Sequence, residues 1–504
     1  MLLHLVLALV VLYFLLLAAP MWWFEGWWNW ISRWRLRPIG HATLLATDSN
    51  HAPILTVLMV VQGAWSVDAV ASLVSKRMAA DSKFFSRFCS RVRVDSDDFE
   101  LVPGFDPATH VTDMPLDHRH ETPLQFAEFL ATQDLDIAVP LWTCHVLPVR
   151  DNQTFILWRI HHALADGASV YAFFARLSDA PLHEYIPPRA RPPDEVEVST
   201  WHKIRQQVHR VVQSLWLYSI KSMRLALVPE PRTRLTQPSG RSKRLFYTTN
   251  YSVTATKGIA RHLGMRATVN DVFLSCITGA LRTMLMEEAS MDLNEDEKRE
   301  RAAVVDPSCV IRAGISVDLR PPWELPAEPD NQFSCLLVEL PLGEACPVRR
   351  LRRVARTMND AKCMNSSYPD THGVMFLVDS LERYFTYGIS MMLAQLPPRI
   401  LAKAVAYLTS HASVAISNVR GPPHVMYFGG HALESLNGYV PPPPHVNMGI
   451  AIYSMADALG VSVQVDANVF RRPERFLVYL KREYVELQKR SAAMHTTFHE
   501  VDAD

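Results

Sequence analysis

Two adjacent histidines, His161 and His162, are followed by Asp166 and Gly167 in the stretch FILWRIHHALADGASVYAFFARL, Phe155 to Leu177. A neutral imidazole, with a reference pKa of about 6.5, can take a proton from a hydroxyl near neutral pH, and such general-base catalysis contributes ~10²–10⁴-fold. Histidine and carboxylate also ligate metals, and a buried histidine can simply be hydrogen-bonded structure. Three readings therefore stand: structural histidines, a metal site and a general base. A metal needs further ligands, and the other local pair, His118 and His120, sits in a polar loop without partners. No serine or cysteine stands in a G-x-S-x-G context, so under the general-base reading the attacking group belongs to the substrate. Asp166 can orient the turn or the ring, and Gly167 lets the backbone turn where a side chain would obstruct.

The flanks supply the elements that must hold these groups. Phe155 to Ile160 is an apolar, β-branched and aromatic run that reads as a buried strand. Val170, Phe173, Phe174 and Leu177 fall at i, i+3, i+4 and i+7, one face of an amphipathic helix. The histidines thus sit at a strand-to-helix junction, where rigid elements fix a group and the turn exposes it.

The same alternation runs through the chain and implies an α/β architecture. Its 504 residues exceed one small core and imply two domains. Residues 42–227 form the N-terminal half with the histidines, 228–244 (VPEPRTRLTQPSGRSKR) a Pro/Arg-rich linker, and 245–495 the C-terminal half. RLFYTTNYSV reads as a strand. TVNDVFLSCITGALRTMLMEE reads as a helix with Phe273, Cys276, Ile277, Ala280, Leu281 and Met284 on its apolar face and Asn270 and Asp271 capping its start. The charge run MDLNEDEKRERAA is expected as a solvated loop, and VRRLRRVART as a solvated helix face. The apolar stretches QSLWLYSIKSMRLALV and YGISMMLAQLPPRILAKAVAYL, interrupted by Lys, Arg or Pro-Pro, are expected as buried or membrane-surface helices.

Composition excludes other classes. Lys+Arg and Asp+Glu balance at 51 each, so nothing favours nucleic acid. Seven scattered cysteines without a C-x-x-C pair read as reduced thiols facing a cytosol. The first 20 residues carry no formal charge, and an apolar helix of about 20 residues spans a bilayer core. The segment 21–41 that follows holds half of the chain's 12 tryptophans together with Arg33, Arg35 and Arg37. Tryptophan favours the membrane interface, and the arginines place the following chain in the cytosol. One N-terminal transmembrane anchor is therefore expected at 1–20, with a Trp/Arg-rich juxtamembrane segment at 21–41.

His-His-x-x-x-Asp-Gly resembles the signature of the CoA-dependent acyltransferases related to chloramphenicol acetyltransferase and to peptide-synthetase condensation domains. Three further stretches resemble the wax ester synthase/diacylglycerol acyltransferase branch: PLW (Pro140 to Trp142), TVNDV (Thr268 to Val272) and SNVRGP (Ser417 to Pro422). ISVDLRP (Ile315 to Pro321) and DNQF (Asp330 to Phe333) are similar to other family segments less closely. The chain departs from the pattern in its N-terminal anchor, in an apparent insertion at 287–301, and in Asp318 where a small residue is more usual.

The resemblance implies two similar α/β halves with the active site in a tunnel between them. It implies His162 as general base for an alcohol that attacks an acyl-CoA thioester directly, without an acyl-enzyme, and whose imidazolium then protonates the thiolate. Asp166 would hold the turn by pairing with an arginine, Arg320 being the candidate. His161 and Gly167 would shape the turn, and Asn270 and Asp271 would serve as much in capping as in catalysis. Acyl-CoA would be substrate, with a long-chain alcohol or diacylglycerol as acceptor and no cofactor or metal. With the anchor, the resemblance implies a eukaryotic, membrane-anchored type of the family, a single-pass protein of the endoplasmic reticulum membrane with a cytosolic catalytic body. The sequence leaves two other functions open: a His-x4-Asp glycerolipid acyltransferase, and a non-catalytic, membrane-tethered lipid-binding protein of the same fold. The first normally has Asn before its histidine and a later Pro-Glu-Gly; here Ile160 precedes His161 and Pro-Glu-Gly is absent.

Overall fold

The computed structural model describes residues 52–93, 98–116, 121–149, 152–186, 239–288, 295–318, 324–363 and 410–501 as continuous runs, with 230, 232–237, 320 and a few single positions. The expected anchor at 1–20, the Trp-rich segment, His118, His120 and the apolar stretch at 213–228 lie outside them, as does nearly all of 387–408. Among the described residues, no helix is long and apolar enough to cross a membrane.

Two six-stranded sheets carry the molecule. Strands β1 (Ile54–Gln62), β2 (Ser90–Arg93), β3 (Asp98–Leu101), β4 (Val111–Asp113), β5 (Trp142–Val149) and β6 (Gln153–His161) come from the N-terminal half. The C-terminal half supplies β7 (Lys243–Ser252), β8 (Ile311–Asp318), β9 (Phe333–Leu340), β10 (Val414–Val419), β11 (Tyr427–Phe428), β12 (His431–Tyr439), β13 (Met448–Met455) and β14 (Ala458–Asp466). The first sheet runs β11-β12-β1-β6-β5-β4 and the second β7-β14-β13-β10-β8-β9, while β2 and β3 form a separate hairpin. Two strands of the C-terminal half therefore complete the sheet that carries the histidines. The turn between them is pinned across the halves by Asp179, whose carboxylate accepts the Gly429 and Gly430 N–H groups at 3.0 and 2.7 Å. Both glycines have positive φ, the left-handed region that other residues enter at a cost.

Each sheet is apolar on the face its helices cover. In the first sheet, Leu55, Val57, Met59, Trp142, Cys144, Ile156, Trp158 and Ile160 alternate toward helices α1 (Val67–Ala80) and α3 (Gly167–Leu177), with α2 (Pro123–Leu130) elsewhere. In the second, Ile311, Ala313, Ile315, Val414, Ile416, Ile450 and Val463 meet α4 (Val253–His262), α5 (Val269–Glu288), α6 (Glu295–Val305), α7 (Pro347–Cys363) and α8 (Arg475–Val501). A smaller cluster that includes Leu58, Leu157, Leu245 and Tyr439 closes the seam between the opposite faces of the two sheets.

Three expectations change. Much of the charge run expected as a solvated loop is α6, because Glu, Lys, Arg and Ala are strong helix formers. Its Glu300 is buried and accepts the Arg234 N–H at 2.7 Å. In α7 the face is only partly solvated: Arg350 is wholly buried, its Nε donating to Ser275 O at 3.0 Å and its Nη2 pairing with Glu483. The Pro/Arg stretch 228–244 is not a free spacer, since Leu235 is buried in the C-terminal core and β7 begins at Lys243.

Candidate active site

The histidine turn is built by main-chain hydrogen bonds at the end of β6. His161 N–H donates to Leu141 O at 2.9 Å and His162 N–H to Pro53 O at 2.8 Å, so PLW and the residue before β1 fix both backbones. Trp142 anchors PLW from beneath, fully buried with its Nε1 donating to Phe88 O at 2.7 Å. The His161 side chain is buried, and its Nδ1 accepts the Ala163 N–H at 3.1 Å, closing the turn. His162 is more open, with the Phe333 ring centroid 5.4 Å away.

Asp166 faces away from the His162 ring and into structure. One carboxylate oxygen accepts the Ser169 N–H at 2.9 Å and so caps α3. The other accepts Arg320 Nη1 at 2.9 Å and the Gln332 N–H at 2.8 Å. Arg320 is itself buried and donates further to Asp330 O and Ser169 Oγ. Asp318, the departure from the family pattern, accepts both the Arg320 N–H and Nη1 at 3.0 Å and so pins that side chain. Burial opposes the guanidinium charge, yet Asp166 and Asp318 hold its pKa above the ordinary arginine value.

Gly167 has no left-handed backbone, so the reason for glycine differs from the turn requirement read from sequence. Its place is set by close approach: a Cβ there would lie 3.1 Å from Val419 Cγ2, at the end of β10 and within SNVRGP. Asn270 and Asp271 lie at the start of α5. Asp271 accepts the Thr268 N–H at 2.7 Å while Thr268 Oγ1 accepts the Asp271 N–H at 3.3 Å, a reciprocal cap. Asn270 Oδ1 accepts from Asn418 Nδ2 at 3.1 Å, joining TVNDV to SNVRGP. Both residues thus tie the start of α5 to its own cap and to SNVRGP.

Asn331 is the candidate-site residue that reasoning from the histidine motif missed. Its Oδ1 lies 3.0 Å from His162 Nδ1, and its Nδ2 donates to His162 O at 2.8 Å. The signal was present in DNQF, a segment that had carried resemblance but no role. Asp330, Asn331 and Gln332 all reach across to the histidine turn. Ser169 Oγ meets both the Asp330 N–H at 3.0 Å and Asp330 O at 2.8 Å, and Arg87 Nη1 lies 3.6 Å from the Asp330 carboxylate.

Burial lowers the pKa of His162 below the ordinary histidine value, against a smaller pull upward from the Asp166 charge. Burial thus favours the neutral ring, and no hydrogen bond occupies its Nε2 among the described residues. Among those residues, too, there is no group of three His, Cys, Asp or Glu placed to hold a metal. The arrangement suits proton abstraction from a bound hydroxyl.

Comparison with known proteins agrees with this chemistry. Residues 46–273 match the wax ester synthase/diacylglycerol acyltransferase catalytic domain, and 330–488 the WS/DGAT C-terminal domain. The chain is 24% identical over 370 residues to the O-acyltransferase WSD of Acinetobacter baylyi, covering 69% of this chain and 73% of that protein. It is 23% identical over 503 residues to the probable diacylglycerol O-acyltransferase Tgs4 of Mycobacterium tuberculosis, covering 92% and 98%. In fold it resembles a wax ester synthase/diacylglycerol acyltransferase from Marinobacter aquaeolei, with TM-score 0.58, 18% identity and coverage of 91% and 99%. The first condensation domain of the calcium-dependent antibiotic synthetase has the same fold at TM-score 0.53 and 14% identity, covering 91% and 96%. The acyltransferases named here are bacterial, so the likeness supports the family and does not support a eukaryotic, membrane-anchored type.

Proposed function

The chain belongs to the wax ester synthase/diacylglycerol acyltransferase family, and from that premise we propose that His162 Nε2 is the base of its acyl transfer. As an O-acyltransferase, the protein moves an acyl group from acyl-CoA to a lipid alcohol. The alcohol gives its proton to Nε2 as its oxygen attacks the thioester carbonyl carbon. The tetrahedral intermediate collapses with loss of the C–S bond, and the imidazolium returns the proton to the departing thiolate. Ester and free CoA result, and the chain itself is never acylated. Donor and acceptor meet between the halves, where the His162 turn of one faces the Asp330–Phe333 segment of the other. The observation that carries this reading is the His162 ring held through Nδ1 by Asn331, with no hydrogen bond on Nε2 among the described residues.

Both a long-chain alcohol, giving wax ester, and diacylglycerol, giving triacylglycerol, fit the family. Purified protein incubated with labelled acyl-CoA and each acceptor in turn decides between them, and absence of labelled ester with both would sink the proposal. The uncharged run Met1–Pro20 serves in this reading as a membrane tether, which suits an acceptor and a product that partition into lipid. Removing it should release the protein from membranes while leaving transfer to a detergent-dispersed acceptor. A truncated, folded protein that still pellets fully with membranes would contradict the tether.

A further inference from the structure

The His162 ring has two nitrogen edges, and among the described residues only one is hydrogen-bonded. Nδ1 lies 3.0 Å from Asn331 Oδ1. An amide can present either end to a ring, and here its other end decides which. Asn331 Nδ2 stands 2.8 Å from His162 O and 3.3 Å from Ala163 O, two carbonyls that only accept. The NH2 must therefore face the carbonyls and the oxygen must face the ring. Because that oxygen only accepts, Nδ1 carries the ring's single proton and Nε2 holds the lone pair.

His161 has the opposite arrangement. Its Nδ1 accepts the Ala163 N–H, so in the neutral ring the proton sits on Nε2. The two adjacent histidines are thus held as opposite tautomers, and only His162 offers Nε2 as an acceptor.

We propose that Asn331 is the positioning residue that fixes His162 as the Nδ1–H tautomer, so that Nε2 is the atom that receives the hydroxyl proton. The second clause rests on the acyl-transfer reading of His162; the first does not. Asn331 is suited to the task because it cannot move alone. It is buried, its N–H donates to Asp330 Oδ1 at 2.7 Å, and its neighbours are tied to Ser169, Arg320 and Asp166. A carboxylate in its place would face the ring but could not donate to the two carbonyls. It would also add negative charge beside Asp166 and Asp330, of which the first is balanced by Arg320 and the second lies near Arg87. Asparagine supplies orientation without that charge.

The test uses the full chain labelled with 15N-histidine, observed by NMR without substrate and near neutral pH, with His162 assigned by loss of its signals in His162→Ala. The wild type should show a pyrrole-type Nδ1 and a pyridine-type Nε2. In Asn331→Leu, which removes both ends of the amide, the ring should become a mixture of tautomers. Its kcat should fall on the order of tenfold or more, a part of the ~10²–10⁴-fold a general base supplies, with little change in KM for acyl-CoA. Asn331→Asp keeps the acceptor and adds charge, so the acidic limb of kcat/KM should move to higher pH while the tautomer stays. A pyridine-type Nδ1 in the wild type, or an unchanged tautomer in Asn331→Leu, would overturn the proposal. If Asn331→Leu does not fold, an unmoved pH profile in Asn331→Asp would do so. A shifted tautomer with an unchanged rate would leave Asn331 its role and remove His162 from the chemistry.

Discussion

Asp166 and His162 are four residues apart and do different work. The carboxylate caps α3 and neutralises Arg320, with both groups nearly excluded from water. Asp166→Asn would leave the arginine charge without its closest partner, and removing one member of a buried pair typically costs ~3–5 kcal/mol. We therefore expect a lower urea midpoint together with lower turnover. A fully stable but inactive variant would instead place Asp166 in the chemistry. The pairing with Arg320 was legible from the family resemblance carried on HHALADG and ISVDLRP. The role of Asn331 was not, because nothing in the sequence says which side chain meets a ring 169 positions away. The need for Gly167 was misread for the same reason. A glycine closely approached by a distant Val419 looks, in sequence, like a glycine required by its own turn.

At the scale of elements, helix and strand periodicity predicted β6, α3 and α5 well, since each buries one regular face. It failed on α6, where charge suggested a loop but intrinsic helix propensity and the buried Glu300 and Val304 fixed a helix against α5. The clearest test of packing is Gly279 in α5. A methyl group there would collide with the Arg350 guanidinium and the Glu483 carboxylate, which tie α7 and α8 to α5. Gly279→Ala should therefore destabilise the C-terminal half in spite of alanine's higher helix propensity of ~1 kcal/mol. A denaturation midpoint at or above the wild-type value would show that these helices can separate without loss. The sheet crossover was hidden from sequence altogether, because β12 has the same alternation whether it pairs with its own half or with β1.

The whole molecule integrates its titrating groups into a pH dependence of stability with two opposed parts. Burial lowers the pKa of His162 and His110 and pushes His145 down to about 4. Their contributions are complete above the unfolded value of about 6.5 and decline as acid protonates the unfolded chain first. Glu230 has the opposite sign. Burial pushes its pKa up to about 7, and its Oε2 has no hydrogen-bond partner among the described residues, while its other oxygen accepts from Arg312 N–H and Ser413 Oγ. Its contribution is complete below the ordinary carboxylate range and is lost as pH rises through about 7. Glu230→Gln should therefore make stability rise more steeply between about pH 5 and 7, by up to one proton's worth of slope. Urea midpoints across that range check it, and parallel slopes for the two proteins would contradict it.

What joins the scales is the proposed base, carried by one half and hydrogen-bonded by a loop of the other, and the adjacent histidines allow that proposal to be tested directly. The most direct measurement compares initial rates of ester formation from labelled acyl-CoA in wild type, His162→Ala and His161→Ala, each shown to be folded by its thermal transition. The account predicts a loss of ~10²–10⁴-fold for His162→Ala, and measurable activity for His161→Ala with any loss following its stability. Near-normal transfer in His162→Ala alongside a folded, inactive His161→Ala would contradict it.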